Sequence, residues 1–300
     1  PGVGARLEVK MRNALTQDGF ALRPLLRTEV ADVSRMRSLE ALLQTDRQQL
    51  GRGNDARGSN GPYDRLKLAC AWEIDHPEEA AKYQHGLGRV QQQMDRLKRK
   101  GKGVTNAPGL PVTTPSRAFD LRRDANEAVL LHGTSPSALL SLLSTGLNPN
   151  LSGSHRGTAF GDGIYLAEDV GKTDQYVTAD RKYDGDSDLH KRLYGRNFRH
   201  PGDVFYVLVC RAALGYPVRT QQHGSDAKSM DTGTPVFPIS FRELSEVPGV
   251  TPPIFHHSLI AELGQSIGRY REFVIFHGEY VRAEYLLAYH RCNGEQRLST

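Results

Sequence analysis

Short apolar runs, set apart by long polar stretches, most restrict what the second half of this 300-residue chain can form. Each run is as short and as continuous as a buried strand, and the runs do not alternate with helices in the rhythm of β-α-β units. The pattern therefore predicts an α+β fold with antiparallel or mixed sheets, and it argues against a doubly wound fold. The predicted strands are residues 129–131, 164–167, 204–210, 273–276 and 281–289.

Helical signals are strongest in the first half of the chain. Apolar residues at helical spacing predict a helix over 28–50, with Gly51 as its stop. A second helix is predicted from His76 to Lys100, because Pro77 and two acidic residues suit a first turn and basic residues suit a last turn. Other segments are predicted as a strand over 63–74, a linker over 101–117, helices over 135–146 and 169–178, irregular structure over 180–202 and turns over 215–257.

The composition excludes several classes of protein. Hydrophobic residues make up 38% of the chain and charged residues 24%, which is ordinary for a soluble globular protein. There is no apolar run long enough for a membrane span and no secretory leader. Cys70, Cys210 and Cys292 are scattered and odd in number, which argues against a disulfide framework or a zinc site. We therefore expect an intracellular protein, cytoplasmic or nuclear.

Basic charge is concentrated in the first part of the chain. Residues 1–110 carry 19 Lys and Arg against 13 Asp and Glu, whereas residues 111–300 carry 20 against 21. The excess is compatible with contacts to nucleic acid or other acidic partners. It is also compatible with a solvated helix face, which is the more ordinary explanation.

The candidate functional residues have ordinary explanations when they are taken singly. His132-Gly133 is typical of a turn at a strand end, and Glu272 beside Arg271 is typical of a salt-bridged strand residue. The Gly-x-Gly at 161–163 is not the dinucleotide fingerprint, because Leu166 stands where a third glycine is needed. Composition and spacing alone therefore leave these residues unassigned.

In their order along the chain, the motifs resemble the His-Tyr-Glu signature of poly(ADP-ribose) polymerase-like ADP-ribosyltransferases, with C-terminal motifs similar to those of tankyrases. The resemblance extends over about residues 126–291. Thr173 stands where the family has serine, which keeps a hydroxyl group, and Ala283 replaces a proline. The motifs are His132-Gly133, Gly146-Leu147, Phe-Gly-Asp-Gly-Ile-Tyr at 160–165, Lys172-Thr173-Asp174-Gln175-Tyr176, His256-His257-Ser258-Leu259, Tyr270-Arg271-Glu272 and Ala283-Glu284-Tyr285.

The resemblance implies a fold, a substrate and a role for each site residue. It implies an ADP-ribosyltransferase fold of two packed, mainly antiparallel sheets with flanking helices, and NAD as a substrate without a metal. His132, Tyr165 and Glu272 would form the catalytic triad. The other NAD-binding residues would be Gly133 and Thr173 at the carboxamide, Tyr176 on the nicotinamide ring, Thr134 near the ribose or phosphates, and Arg156 in place of an adenosine-side arginine that the chain lacks at Asn148.

The chemistry of NAD cleavage suits these residue types. Breaking the bond between nicotinamide and ribose leaves an oxocarbenium-like centre, so the site must place negative charge near the cation. Glu272 can bond the ribose 2′-hydroxyl, stabilise that cation and polarise an acceptor nucleophile. Gly133 lets the backbone approach the carboxamide, and His132 can hydrogen-bond a ribose hydroxyl.

We expect residues 1–62 to form a helical and loop approach segment and residues 63–300 to form the catalytic domain. Loop 148–160 would cover the donor, and residues 250–270 would flank the acceptor. Segment 63–117 is too short for the autoinhibitory helical domain of the DNA-damage-responsive members of the family, so access to NAD is expected to be constitutive.

The expected function is transfer of ADP-ribose from NAD to a macromolecular acceptor, with a protein acceptor and automodification favoured, and with release of nicotinamide. One alternative is a catalytically weak module that binds NAD or ADP-ribose, against which the intact His132, Tyr165 and Glu272 argue. Others are a transferase that modifies nucleic acid, and an RNA 2′-phosphotransferase of the same broad fold. The sequence does not decide between single units and polymer.

Overall fold

The computed structural model of the chain combines two β-sheets with α-helices that pack around them. No helix in the described part is both long and apolar enough to cross a membrane. In chain order, the helices are α1 (Val33–Ala41), α2 (Pro77–Arg99), α3 (Pro136–Thr145), α4 (Val170–Thr173) and α5 (Asp188–Leu193). The strands are β1 (Leu26–Glu29), β2 (Arg65–Ile74), β3 (Glu127–Thr134), β4 (Ile164–Leu166), β5 (Phe205–Ala213), β6 (Pro217–Thr220), β7 (Ser258–Ala261), β8 (Glu272–Ile275), β9 (Val281–Asn293) and β10 (Gln296–Arg297). The structure describes residues 26–30, 32–52, 62–104, 107, 109–110, 112–114, 119–151, 158–195 and 199–298.

The strands form two sheets that meet near the middle of β3. Sheet A has the strand order β1-β2-β9-β5-β3, with β10 paired to β9, and sheet B has the order β4-β8-β7-β6. Every pair is antiparallel except β6 and β7. An isolated bridge between Leu131 and Ala167 joins the two sheets. The predicted α+β class, with two mainly antiparallel sheets, is confirmed.

Strand β5 lies inside sheet A and is buried on both faces. Val207 and Val209 belong to a core cluster that includes leucines of the N-terminal segment. Tyr206 and Leu208 belong to a second cluster, into which α2 packs. The continuous apolar run of this strand follows from that arrangement, because side chains alternate between the two faces with a period of two.

The helix predicted over 28–50 is wrong in its extent. Strand β1 ends at Glu29, and α1 begins only after Asp32, whose carboxylate caps it. Turns follow α1, and in them Asp46 accepts a hydrogen bond from the Gln48 N–H at 2.9 Å. Three of the apolar residues that gave the helical spacing lie beyond α1. They are Leu42, Leu43 and Leu50, which are buried in the core although they belong to turns.

Helices α2 and α3 confirm two predictions. The Nδ1 atom of His76 accepts a hydrogen bond from the Glu79 N–H at the start of α2. The hydroxyl of Ser135 caps α3 in the same way, and Gly146 ends it with a φ of 72°. Both ends were visible in the sequence because caps depend on residues within one turn.

Three later segments differ from the sequence-based expectation. Helix α4 ends at Thr173 instead of continuing to about Thr178, because Asp174 turns its side chain into the core. The segment expected to be irregular contains α5, with Ser187 as its N-cap. Strands β6 and β7 were not predicted, since each has only four residues.

The N-terminal segment packs against α4 and β5. Leu39, Leu42 and Leu43 share a core cluster with Val170 of α4 and with residues of β5. Gly171 follows Val170, and a Cβ atom there would lie 3.0 Å from the Thr45 hydroxyl and 2.4 Å from the Tyr270 hydroxyl. The predicted domain boundary at residue 62 stays a prediction.

Candidate active site

Four elements bring the predicted catalytic residues to the junction of the two sheets. Strand β3 carries His132 and Gly133, and β4 carries Tyr165. Strand β8 begins with Glu272 and pairs with β4, so that Tyr165 lies opposite Val274. Helix α4 starts four residues after β4 and packs against β3.

The hydrogen bond of His132 determines its tautomer. Its Nδ1 lies 2.9 Å from the carbonyl oxygen of Tyr165, which can only accept, so Nδ1 carries the proton. Burial lowers the pKa of His132, although the bond to Tyr165 opposes that shift. The ring is therefore neutral at pH 7, and its Nε2 atom is an acceptor suited to a hydroxyl group.

The Tyr165 side chain fixes the turn that precedes β4. Its hydroxyl accepts a hydrogen bond from the Phe160 N–H and donates one to the Gly161 carbonyl, each at 2.8 Å. Burial raises the pKa of the Tyr165 phenol, and the nearby Glu272 carboxylate adds to the shift. The phenol therefore stays protonated and holds the chain where the predicted donor loop ends.

Gly133 and Thr173 are brought into contact, as the resemblance implies. A Cβ atom at Gly133 would lie 2.4 Å from the Thr173 carbonyl oxygen, so only glycine fits there without a shift of α4. The Thr173 side chain is buried, and its hydroxyl donates to the Val170 carbonyl at 2.9 Å. That hydroxyl keeps its capacity to accept a further bond. Thr134 is buried at the end of β3.

Lys172 is a site residue that the sequence left without a role. Its Nζ lies 2.7 Å from Oε1 of Glu272, and the two side chains are 14% and 10% exposed. The same ammonium lies 5.3 Å from the centroid of the Tyr176 ring, which is itself half exposed. Burial opposes the charge of Lys172, but Glu272 and Tyr176 raise its pKa. The only signal in the sequence is its position directly before Thr173.

A protein-family model matches the part of the chain that holds these site residues. The model of the poly(ADP-ribose) polymerase catalytic domain matches residues 56–291, which is most of the chain. The chain belongs to the poly(ADP-ribose) polymerase family. The family drawn from the sequence motifs is thereby confirmed, and with it the ADP-ribosyltransferase fold and NAD as the substrate that such domains use. A search of characterised proteins found no match.

An open cavity of about 410 Å³ adjoins Glu272 in this polymerase-family domain. Lys172 and Gln175 of the α4 region line one part of it, and His223, Ser266 and Arg269 line another. His223 and Ser266 are joined by a hydrogen bond of 2.9 Å between Nδ1 and Oγ. Glu272 thus has access to a space large enough for part of a substrate. Arg156, the predicted adenosine-side residue, lies outside the described residues.

A second group of ionisable side chains lies apart from this site, at Asp180, His190 and His200. The Nδ1 atom of each histidine accepts a backbone N–H, from Asp184 and Gly202 respectively. Each ring therefore carries its proton on Nε2. Nε2 of His190 is hydrogen-bonded to the Asp180 carboxylate at 2.8 Å, whereas Nε2 of His200 lies 3.3 Å from that carboxylate without the geometry of a hydrogen bond.

A histidine that binds a metal uses a lone pair and normally donates from its other nitrogen, which is the reverse of this arrangement. The Tyr206 hydroxyl also donates to Asp180, at 2.7 Å. The group fits a hydrogen-bond network better than a metal site. The expectation that the protein needs no metal stays a prediction.

Proposed function

We propose that the chain is an NAD-dependent ADP-ribosyltransferase that moves ADP-ribose to a macromolecular acceptor and releases nicotinamide. The observation that supports this most is the Glu272 carboxylate, ion-paired to Lys172 beside an open cavity and one strand away from Tyr165. A purely binding module has no need for a buried charge at the place where the donor ribose must lie.

The proposed donor side of the site combines the contacts of α4 and β3 with the roles that the family resemblance implies. The Gly133 backbone and the Thr173 hydroxyl bind the nicotinamide carboxamide, while Tyr165 and Tyr176 flank the ring. The Nε2 atom of His132 accepts a hydrogen bond from a ribose hydroxyl, since Nδ1 is committed to the Tyr165 carbonyl. Thr134 and Arg156 are assigned to the ribose and phosphate side and to the adenosine side.

The reaction breaks the C1′–N bond of NAD. The bonding electrons go to the pyridinium nitrogen, so nicotinamide leaves as a neutral molecule and positive charge develops on the ribose. The Glu272 carboxylate stabilises that charge, and Lys172 holds the carboxylate in place. An acceptor oxygen or other nucleophile then bonds to C1′ and loses its proton, for which Glu272 is the nearest candidate base.

Incubation of the protein with labelled NAD tests this proposal. We expect label to become covalently attached to protein, including the enzyme itself, and to do so in a way that depends on Glu272. Release of free ADP-ribose alone would indicate a hydrolase. Binding without turnover would favour the alternative of an NAD- or ADP-ribose-binding module.

We also propose that the product is single units or short chains. Segment 250–268 carries no Lys or Arg, and the first cation after it, Arg269, donates to the Gln49 carbonyl at 2.5 Å. The segment therefore offers few cations to bind the pyrophosphate of a second ADP-ribose, which proteins usually bind through charge-assisted hydrogen bonds. A high-molecular-weight smear that a poly(ADP-ribose) glycohydrolase collapses would contradict this. The acceptor, acidic partners of the basic N-terminal part and the intracellular location stay predictions.

A further inference from the structure

The residue after Thr173 is a carboxylate that the proposed reaction does not use. Asp174 is fully buried, at 0% exposure. Its carboxylate accepts hydrogen bonds from the hydroxyls of Tyr63 and Tyr289, at 2.5 and 2.6 Å, and from Nε of Arg291 at 3.1 Å. The Arg291 guanidinium also donates to the backbone carbonyl of Asp174, at 2.8 Å.

Arg291 is itself buried within sheet A. It is 3% exposed, and its guanidinium carbon lies 4.1 Å from the centroid of the Phe205 ring and 4.8 Å from that of Tyr63. Phe205 begins β5, Tyr63 stands two residues before β2, and Arg291 lies in β9. The direct partners of Asp174 therefore come from β9 and from the residue that leads into β2, while Phe205 of β5 contacts Arg291.

The hydrogen bonds of Asp174 also constrain the residues on either side of it. The Asp174 N–H closes α4 on the Val170 carbonyl at 2.9 Å, and the Tyr176 N–H bonds the Thr173 carbonyl at 3.0 Å. Both the side chain and the main chain of Asp174 are thus tied to sheet A. A buried ion pair contributes little net stability compared with an apolar pair of the same volume. Its bonds are directional, however, so it defines the position of a turn more closely than apolar packing does.

We propose that Asp174 and Arg291 are positioning residues for the nicotinamide site. They hold the end of α4 against sheet A, so that the Thr173 hydroxyl stays in register with Gly133 and the Tyr176 ring stays over the pocket. The ligand concerned is a planar aromatic carboxamide. The proposal rests on the proposed function only in placing that ligand between α4 and β3.

The test compares two buried carboxylates of the same chain. Asp174→Asn keeps the size of the side chain but leaves Arg291 without its counter-charge, so α4 should shift. Benzamide affinity, measured by calorimetry on the whole chain, should then fall at least about tenfold, as for misplacement of binding groups by a distant change. Asp180→Asn is the matched control. Asp180 is also buried and also bonded to a tyrosine hydroxyl, that of Tyr206, but it does not flank the pocket residues.

The control variant should bind benzamide within about twofold of the wild-type chain, even if its melting temperature falls as much. In NAD turnover, Asp174→Asn should raise KM more than it lowers kcat. Unchanged benzamide affinity in Asp174→Asn would overturn the proposal, as would an equal loss in Asp180→Asn. A wild-type chain that does not bind benzamide would instead overturn the nicotinamide site as a whole.

Two milder variants decide the matter if Asp174→Asn does not fold. Tyr63→Phe and Tyr289→Phe each remove one hydrogen-bond donor from the carboxylate and leave its charge pair intact. Each should weaken benzamide binding about twofold to fivefold, in proportion to one lost hydrogen bond. Wild-type affinity in both variants would refute the positioning role.

Discussion

Two ion pairs extend from the short helix α4 and the residue after it, and they differ in what surrounds them. Lys172 pairs with Glu272 of sheet B beside an open cavity, with side chains 14% and 10% exposed. Asp174 pairs with Arg291 of sheet A, with side chains 0% and 3% exposed. Thr173 lies between them. The pair that reaches the cavity has access to a ligand, whereas the enclosed pair can act only through the position it gives its neighbours.

Replacing the acid of the accessible pair should have the largest effect. Glu272→Gln removes the charge that stabilises the developing cation and polarises the acceptor, so transfer from NAD should fall about 10²-fold or more. Benzamide affinity should change far less, because the proposed carboxamide contacts are those of Gly133 and Thr173. Transfer is measured with labelled NAD and affinity by calorimetry. Full activity of this variant would remove Glu272 from the mechanism.

Replacing the lysine of the same pair should lower transfer less. Lys172→Met keeps much of the side-chain volume but no longer holds the Glu272 carboxylate, which should lower transfer about tenfold, as for loss of one charge-assisted bond. Lys191→Met is a suitable control, because Lys191 is exposed and lies 3.9 Å from an exposed aspartate, Asp188. Equal activity of the two variants would show that the Lys172–Glu272 pair has no part in the reaction.

The residue between the two pairs gives a finer test. Thr173→Val keeps the shape of the side chain and removes only the hydroxyl, so benzamide affinity should fall about threefold to tenfold. Thr173→Ser keeps the hydroxyl and should bind like the wild-type chain. If valine and serine behave alike, the carboxamide does not contact this hydroxyl, and the pocket lies elsewhere.

Mild acid should destabilise the fold at a residue that belongs to neither pair. His257 is buried, its Nδ1 accepts the Tyr216 N–H and its Nε2 bonds the Gln93 side chain at 2.7 Å. Burial lowers its pKa to about 3, and His256 adds to the shift. In the unfolded chain the ring takes up a proton below about pH 6.5, whereas in the fold it does not.

The free energy of unfolding is therefore highest, as far as His257 is concerned, above pH 6.5. It falls as the pH decreases from 6.5 towards 3. The loss from His257 should reach about 2 kcal/mol at pH 5, and urea unfolding at pH 7 and pH 5 measures it. The change with pH should be smaller in His257→Gln. An identical change in that variant would assign the acid sensitivity to other groups, such as His256 and His277, whose pKa values desolvation also lowers.

Elements whose signals are local could be predicted from the sequence. The end turns of α2, the ends of α3 and the apolar runs of β3, β5, β8 and β9 lie within a few residues of the structure they specify. The sequence-based predictions were wrong where contacts with distant parts of the chain determine the local structure. Leu42 and Leu43 suggested a helix, but they are buried as turn residues, and α4 stopped early because Asp174 bonds to partners far along the chain.

By itself, the sequence determined the α+β class and the family, and it predicted the triad of His132, Tyr165 and Glu272, because each depends on residue types in a recognisable order. Only the tertiary structure decided which charges meet. Asp174 and Arg291 are 117 positions apart, and Lys172 and Glu272 about 100. Neither pairing has a periodic or compositional signature, because contacts between distant residues exist only after two sheets have closed on the same short helix.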